Sequence, residues 1–226
     1  MKILLLWTLA IATLFGSIGE VTALKGESQL HRDTVVIEAA VGTAIEEQDL
    51  VQTSAYSKVQ IIMDDETIIT IGPKSEYLFE RYDNSQSPEV NMHLKEGVFK
   101  IITGKIGKVA PHRFKIKTKS AVIGIRGTQF MASVSGDNEK IGCSKGALVV
   151  ETEQTTFELP AGRMLVYENE VWTMYELDRS SFSSVLAATK SVKKEPLKEL
   201  SERLPNIQES TVIQEQVTDG EHGGAF

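Results

Sequence analysis

The chain has 226 residues, 41% of them hydrophobic and 24% charged, which suffices for one well-packed domain with a tail. With 24 Lys and Arg against 31 Asp and Glu the net charge is −7, which argues against general nucleic-acid binding. The single cysteine, Cys143, excludes an intramolecular disulfide, so stability must come from a core; a small buried apolar role is expected for it, against the alternative of a reactive or intermolecular thiol.

Met1-Lys2 is a minimal positive region, and the apolar run Ile3 to Phe15 is too short to span a bilayer comfortably but suits an export signal. Gly16, Ser17 and Gly19 break the run, and Val21-Thr22-Ala23 supplies small residues before a cut. The expected signal peptide is therefore 1–23, with cleavage between Ala23 and Leu24; an uncleaved anchor is the alternative. No cysteine follows the run for acylation, and every later apolar stretch is interrupted by a charge, Gly or Pro. The reading is a periplasmic or otherwise extracytoplasmic protein with no stable membrane insertion after cleavage.

From Thr34 to Tyr175 apolar residues recur mostly with period two and β-branched residues are frequent, the pattern of strands with one buried face. Val59, Ile61 and Met63 alternate with Lys58 and Gln60, Tyr77 and Phe79 with Glu76 and Glu80, and Phe114 and Ile116 with Lys115 and Lys117. Turn signals punctuate them, among them Asp64-Asp65-Glu66, Gly72-Pro73, Gly136-Asp137-Asn138 and Lys145-Gly146. The predicted fold is all-β over 24–176, with many short strands in a sandwich, roll or solenoid-like arrangement. After Leu177 the pattern turns helical, with Phe182, Val185, Leu186 and Thr189 in step, so 177–204 is expected to be a short helical segment and 205–226 a disordered tail.

Three blocks carry a resemblance to a known family. The first is Val41-Gly42-Thr43-Ala44-Ile45, Asp49 to Thr53, Ser57 to Ile61, Asp64-Asp65-Glu66-Thr67 and Gly72-Pro73-Lys74-Ser75. The second is Leu94 to Phe99, Phe114 to Thr118, and Ala121-Val122-Ile123-Gly124-Ile125-Arg126-Gly127-Thr128-Gln129-Phe130. The third is Lys145 to Val150 with Leu159-Pro160-Ala161-Gly162. In order and spacing they resemble the FecR domain family over about Val35 to Tyr167, and Ile-Arg-Gly-Thr-x-Phe is the sharpest element. Asp64-Asp65 stands where the family usually has Asp-Gly, and Thr118-Lys119 where Thr-Pro is common. The best-known members are membrane-spanning regulators with a cytoplasmic anti-sigma helix bundle and a short receptor-contacting module, neither of which the sequence shows. The resemblance thus implies an extracytoplasmic β domain with a binding or signalling role, without carrying over iron-transport regulation.

Within the sharpest element, Gly124, Arg126, Gly127 and Thr128 are read as structural. Glycines inside an apolar strand mark a bend or close backbone approach, which places Arg126 in a crowded position, and a buried guanidinium needs a carboxylate or several carbonyls. Asp49, Asp64 and Asp65 are the candidate partners, and a ligand-binding arginine is the alternative. Asp64-Asp65-Glu66 is read as a solvated hairpin tip in preference to a cation site, since the Asp/Asn spacing of a calcium hand is missing. His31, His93, His112 and His222 are scattered, no Gly-rich phosphate loop precedes a helix, and no metal or cofactor is implied.

One sector opposes the net charge. Between Gly97 and Gly136 there are eight Lys and Arg and no Asp or Glu. Lys105, Lys108, Arg113, Lys115, Lys117 and Lys119 are the expected partner-binding residues, with Lys115, Lys117 and Lys119 on one strand face; a merely solvated or edge-protecting face is the alternative. The expected function is an exported, non-enzymatic binding, scaffold or signalling module of the cell envelope whose partner is an envelope protein or an anionic glycan. The alternatives are a component of a relay controlling a sigma factor, and a polysaccharide-directed envelope enzyme with paired carboxylates in a cleft.

Overall fold

The computed structural model describes residues 16–186. The expected export-signal run, the rest of the helical segment with Thr189, and the C-terminal tail lie outside the described residues. In chain order the strands are β1 (Gly19–Lys25), β2 (Ser28–Arg32), β3 (Val35–Glu38), β4 (Ala44–Ile45), β5 (Leu50–Thr53), β6 (Lys58–Met63), β7 (Ile68–Ile71) and β8 (Glu76–Asp83). Then follow β9 (Glu89–Ile102), the one-turn helix α1 (Ile106–Val109), β10 (Phe114–Lys117), β11 (Ala121–Ser135), β12 (Asn138–Thr152), β13 (Thr156–Pro160), β14 (Arg163–Glu168), β15 (Val171–Glu176) and α2 (Ser183–Leu186).

Pairing register divides this one connected sheet into two layers. The first runs β3-β2-β5-β8-β9-β10-β11-β12-β13, using residues 89–96 of β9, 121–126 of β11 and 147–151 of β12. The second runs β4-β1-β6-β7-β9-β11-β12-β14-β15, using residues 97–102 of β9, 129–134 of β11 and 139–143 of β12. Three long strands therefore bend from one layer into the other. Only β9 and β10 pair in parallel among the described strands, and the result is a bent-strand sandwich, not a stack of repeats.

Each bend carries a glycine at positive φ: Gly97 (104°), Gly127 (60°) and Gly146 (79°). A Cβ on Gly146 would come 2.8 Å from the Gly127 carbonyl oxygen, and one on Gly97 would collide with Ser75, so side-chain-free residues let the strands turn without strain.

The period-two pattern fills the interior. Leu30, Tyr77, Phe79, Met92, Phe114 and Ile123 from the first layer join Val21, Ile61, Ile69, Phe99, Ile101 and Phe130 from the second in one buried cluster. Each such side chain contributes about 1.5–3 kcal/mol on burial. Cys143 is buried within it, and desolvation pushes its thiol up in pKa. A second cluster covers the outer face of the second layer, where Phe182 and Val185 pack on Met131, Met164 and Val166. Gly142 makes room for them, since a Cβ there would sit 2.5 Å from Leu177. Asp178 starts this helical stretch by accepting the Ser180 amide at 2.9 Å.

The N-terminal boundary differs from the sequence expectation. Ile18 donates its amide to Ile45 and accepts from Asp64, Val21 and Ala23 are buried, and β1 pairs with β6 along its length. A cut between Ala23 and Leu24 would split β1 and strip Ile18 and Val21 from the core. Small residues before a cut site and small residues in a tightly packed first strand look alike in sequence.

Candidate docking site

The basic sector is held at one end of the sandwich by a buried carboxylate. Asp65 is fully buried; its Oδ1 accepts the Thr67 amide at 3.0 Å, and its Oδ2 accepts the Thr67 hydroxyl at 2.9 Å and the Ile106 amide at 3.1 Å. Its backbone oxygen accepts the Lys105 amide and its backbone N–H donates to the Tyr82 hydroxyl. Burial drives the Tyr82 phenol upward. The segment from Thr103 to Ile106 is thereby stitched to the β6–β7 turn, and α1 projects from it. The solvated hairpin tip expected at Asp64-Asp65-Glu66 is thus corrected at its middle residue: the turn supplies buried anchoring, not a wet tip.

Beyond α1 the chain makes a 3-10 turn at Pro111–Arg113 and enters β10. A groove of about 370 Å³ opens there, lined by Pro88, Ser87, Val109, Ala110, His112 and Arg113, among others. Val109 is 74% exposed at its rim, and Arg113 reaches the Ser87 carbonyl at 3.3 Å. The six expected partner-binding residues fall into two sets. Lys105 pairs with Glu66 at 2.7 Å, Lys117 with Glu80 at 2.8 Å, and Lys119 with Asp137. Lys108, Arg113 and Lys115 are exposed and form no ion pair with a described residue.

Two details of the strand-face expectation change. Lys115 and Lys117 do share the outer face of β10, but Lys119 lies past the strand end. Nor is β10 an edge: it lies between β9 and β11, so edge protection does not explain its lysines.

Arg126 is the largest correction. It is exposed, and no carboxylate among the described residues pairs with it. It lies two residues along β11 from Gly124, which faces Lys115, so it joins the unpaired basic set. Gly124 is not crowded either, because a Cβ there would make only ordinary contact with Val149 at 3.6 Å. Thr128 is buried, donates its amide to Thr103 Oγ1 at 2.9 Å and accepts at its carbonyl from the Thr103 amide and hydroxyl. An apolar run containing glycines is not wholly buried here, because at the Gly127 bend the strand turns its Arg outward. Replacing Arg126 with Lys is accordingly expected to leave the melting temperature unchanged within about 0.5 kcal/mol of stability, as for an ordinary surface site. A differential-scanning melt showing a loss of several degrees would contradict this placement.

The named candidate partners of Arg126 are engaged elsewhere or unpaired with it. Asp49, fully buried, takes Arg32 in a two-point grip, with Nε to Oδ1 at 2.8 Å and Nη2 to Oδ2 at 2.7 Å, and also accepts the Glu46 amide at 2.8 Å. Arg32 further pairs with Glu46, and the carboxylates hold its guanidinium above its ordinary pKa. Nothing in the local sequence around Arg32 signals this bond, since the partners are 17 residues apart and meet only through the β2–β5 pairing.

His93 faces Lys117 across the parallel pair and has Glu80 at 3.6 Å. Desolvation outweighs the attraction of Glu80 and lowers its pKa below the usual 6.5. The folded state then binds fewer protons at this site than the unfolded chain, so its contribution is complete above pH 6.5 and is lost as pH falls through the lowered folded value. Urea titrations below pH 6.5 should show stability declining more steeply for the parent than for His93→Gln; parallel profiles would contradict this. No group of three or more His, Cys, Asp or Glu among the described residues is arranged to hold a metal ion, and no described helix is long and apolar enough to cross a membrane.

Fold and site together define an all-β domain built on three bent strands, with a basic groove at one end. The family model for FecR protein matches residues 49–149, from the start of β5 into β12, which supports a FecR domain over that stretch. Two crystal structures of a protein described as an anti-sigma factor from Parabacteroides distasonis, at 1.65 and 2.50 Å resolution, share the fold. Each has a TM-score of 0.50 and 12% identity, over 57% of this chain and 60% of that chain. The chain thus spans 60% of the length of these neighbours, and at that identity the likeness concerns fold alone. No curated protein matches the chain.

Proposed function

We propose that this chain is an exported, non-enzymatic signalling module of the cell envelope, which receives an acidic segment of a partner protein in the groove at Val109 and Arg113. The observation that carries the reading is a set of exposed cations with no ion pair to a described carboxylate on adjoining segments of a protein of net charge −7: Lys108 next to the exposed Val109, Arg113 lining the groove with it, and Lys115 and Arg126 on one face of β10 and β11. Such a patch steers an acidic partner and fixes its register more than it adds raw affinity. The FecR domain and the fold shared with a protein described as an anti-sigma factor support a place in a relay that controls a sigma factor.

The test is transcriptional. Cells lacking the chain are complemented with the parent or with Lys108→Glu/Arg113→Glu/Arg126→Glu, and sigma-dependent transcripts are compared under inducing conditions. The charge-reversed chain, folded and exported at the parent level, should fail to restore the parent profile; full restoration would reject the groove as the docking site.

Export carries its own expectation. Because Ile18 and β1 belong to the fold, the processed chain should begin before Ile18. Intact-mass analysis of the envelope fraction decides it, and a chain starting at Leu24 would contradict the placement of β1.

A further inference from the structure

At the far end of β10 from the basic groove, the sandwich opens between its layers. The inner face of the second layer ends there in Tyr167 and Trp172, directly opposite each other across β14 and β15, with ring centroids 4.8 Å apart and planes 34° apart. Phe157 of β13 supports Trp172 from 6.5 Å. The first layer contributes two turns, Lys119-Ser120 and Thr152-Glu153-Gln154, and together they enclose a cleft of about 170 Å³. It continues along the sheet into a shallower depression shared by Lys119, Ser120, Thr152 and Glu153 and extending to His93 and Lys117.

The cleft has two chemically distinct sides. One is aromatic. The other carries short polar groups, several of them free: the Ser120 hydroxyl, the Glu153 carboxylate and the Gln154 side-chain amide bond no described residue, while Thr152 Oγ1 is occupied by the turn it closes, donating to the Thr155 carbonyl at 2.7 Å. Neither the Tyr167 hydroxyl nor the Trp172 indole N–H has a described partner, yet neither is sealed from solvent. Beneath the wall, Glu139 is buried opposite Tyr167 in the β12–β14 register; its Oε1 takes the Ser120 amide at 2.7 Å while Oε2 has no donor among the described residues. Buried polar atoms are ordinarily satisfied, so an unsatisfied carboxylate oxygen directly under a polar wall marks a position built for something other than packing.

An occupant must therefore have an apolar face for the rings and a rim of hydroxyls or amides for the opposite wall, which is the surface of a pyranose sugar. Aromatic residues with a polar tip suit such two-faced ligands, and a few polar groups in an otherwise formed cleft set orientation. Charge narrows the class. Lys119 is committed to Asp137, and the remaining charges at the cleft are the carboxylates of Glu153 and, below it, Glu139. Anionic sugars and phosphate-bearing ligands meet repulsion, which turns the anionic glycan expected from the basic sector into a neutral one. We infer that this cleft is a subsite for one neutral sugar unit, such as the end of an N-acetylated or simple hexose chain, separate from and independent of the protein-docking groove.

The sequence holds two tryptophans, Trp7 in the expected export signal and Trp172 in the cleft, so a Trp7→Phe chain reports on the site through Trp172 alone. The chain is titrated with N-acetylglucosamine tetramer, with glucose hexamer and with galacturonate hexamer. A saturable change in Trp172 emission with a neutral oligomer, with Kd at or below about 1 mM, and a weaker response to the uronate are expected. Tyr167→Ala should weaken binding about tenfold or more. Should that variant unfold, Gln154→Ala, on an exposed turn, should weaken binding with an unchanged melt. No saturable response to either neutral oligomer, preference for the uronate, or undiminished binding by Gln154→Ala with Tyr167→Ala folded or not, overturns the assignment. Loss of sugar binding would leave the transcriptional effect of the groove variant untouched, so the two readings fail separately.

Discussion

Asp65→Ala is expected to cost about 3 to 4 kcal/mol of folding stability and to release α1. The carboxylate is fully buried and satisfies three donors at once, the amides of Thr67 and Ile106 and the Thr67 hydroxyl. Truncation leaves those donors without an acceptor, and the desolvation penalty of a stranded polar group exceeds the net worth of an average hydrogen bond. Urea unfolding measures the loss, with Asp64→Ala as the control, expected within about 0.5 kcal/mol of the parent. Hydrogen exchange should further show the Ile106 amide exposed in Asp65→Ala at urea concentrations where β9 remains protected. Equal midpoints for the two variants would contradict the anchoring role and leave the groove without its support.

Arg32→Met should be nearly as damaging, at about 3 kcal/mol. It removes the two-point partner of a carboxylate with no exposure, and breaking one side of a buried pair costs more than the pair contributes. The lower end of the usual range applies because Arg32 itself keeps 25% of its side-chain surface in solvent. The asymmetry gives an internal check: Arg32→Met combined with Asp49→Leu no longer strands a charge and should recover a substantial part of the loss. If the double variant in urea is as unstable as the sum of its parts, the cost lies in packing of the β2–β5–β8 region and not in the uncompensated carboxylate.

Both results concern residues whose roles sequence reading missed, and the reason is the same. Strand periodicity is a local signal, so alternation marked Val59, Ile61, Phe114 and Ile116 as inward and Lys115 and Lys117 as outward, as the structure has them. The all-β class and the FecR domain were legible for that reason, the second from motif order as well. Pairing between strands distant in sequence is not local. The Arg32–Asp49 grip, the Asp65 anchor reaching 41 residues to Ile106, and the bends at Gly97, Gly127 and Gly146 depend on which strands meet. Arg126 shows the consequence most clearly: its glycines do mark a bend, but which side of the bend faces solvent depends on the strands that meet there. The basic sector was visible as a run of like charges, yet Lys105, Lys117 and Lys119 are neutralised by Glu66, Glu80 and Asp137, contributed by other segments, and no count along the chain reveals that. The aromatic cleft was invisible, since Tyr167, Trp172, Ser120 and Gln154 converge only where the two layers end.

The central claim is that an acidic partner segment sits in the groove beside α1. Its most direct measurement is photocrosslinking in living cells from a photoreactive residue placed at Val109, with Val149, an exposed residue of β12 in the first layer, as the control position. The account predicts one dominant adduct from position 109, to an envelope signalling protein cross-linked within a segment rich in Asp and Glu, abolished by Arg113→Glu/Arg126→Glu and missing from position 149. Equal adducts from both positions, or an adduct from 109 that survives charge reversal, would contradict it.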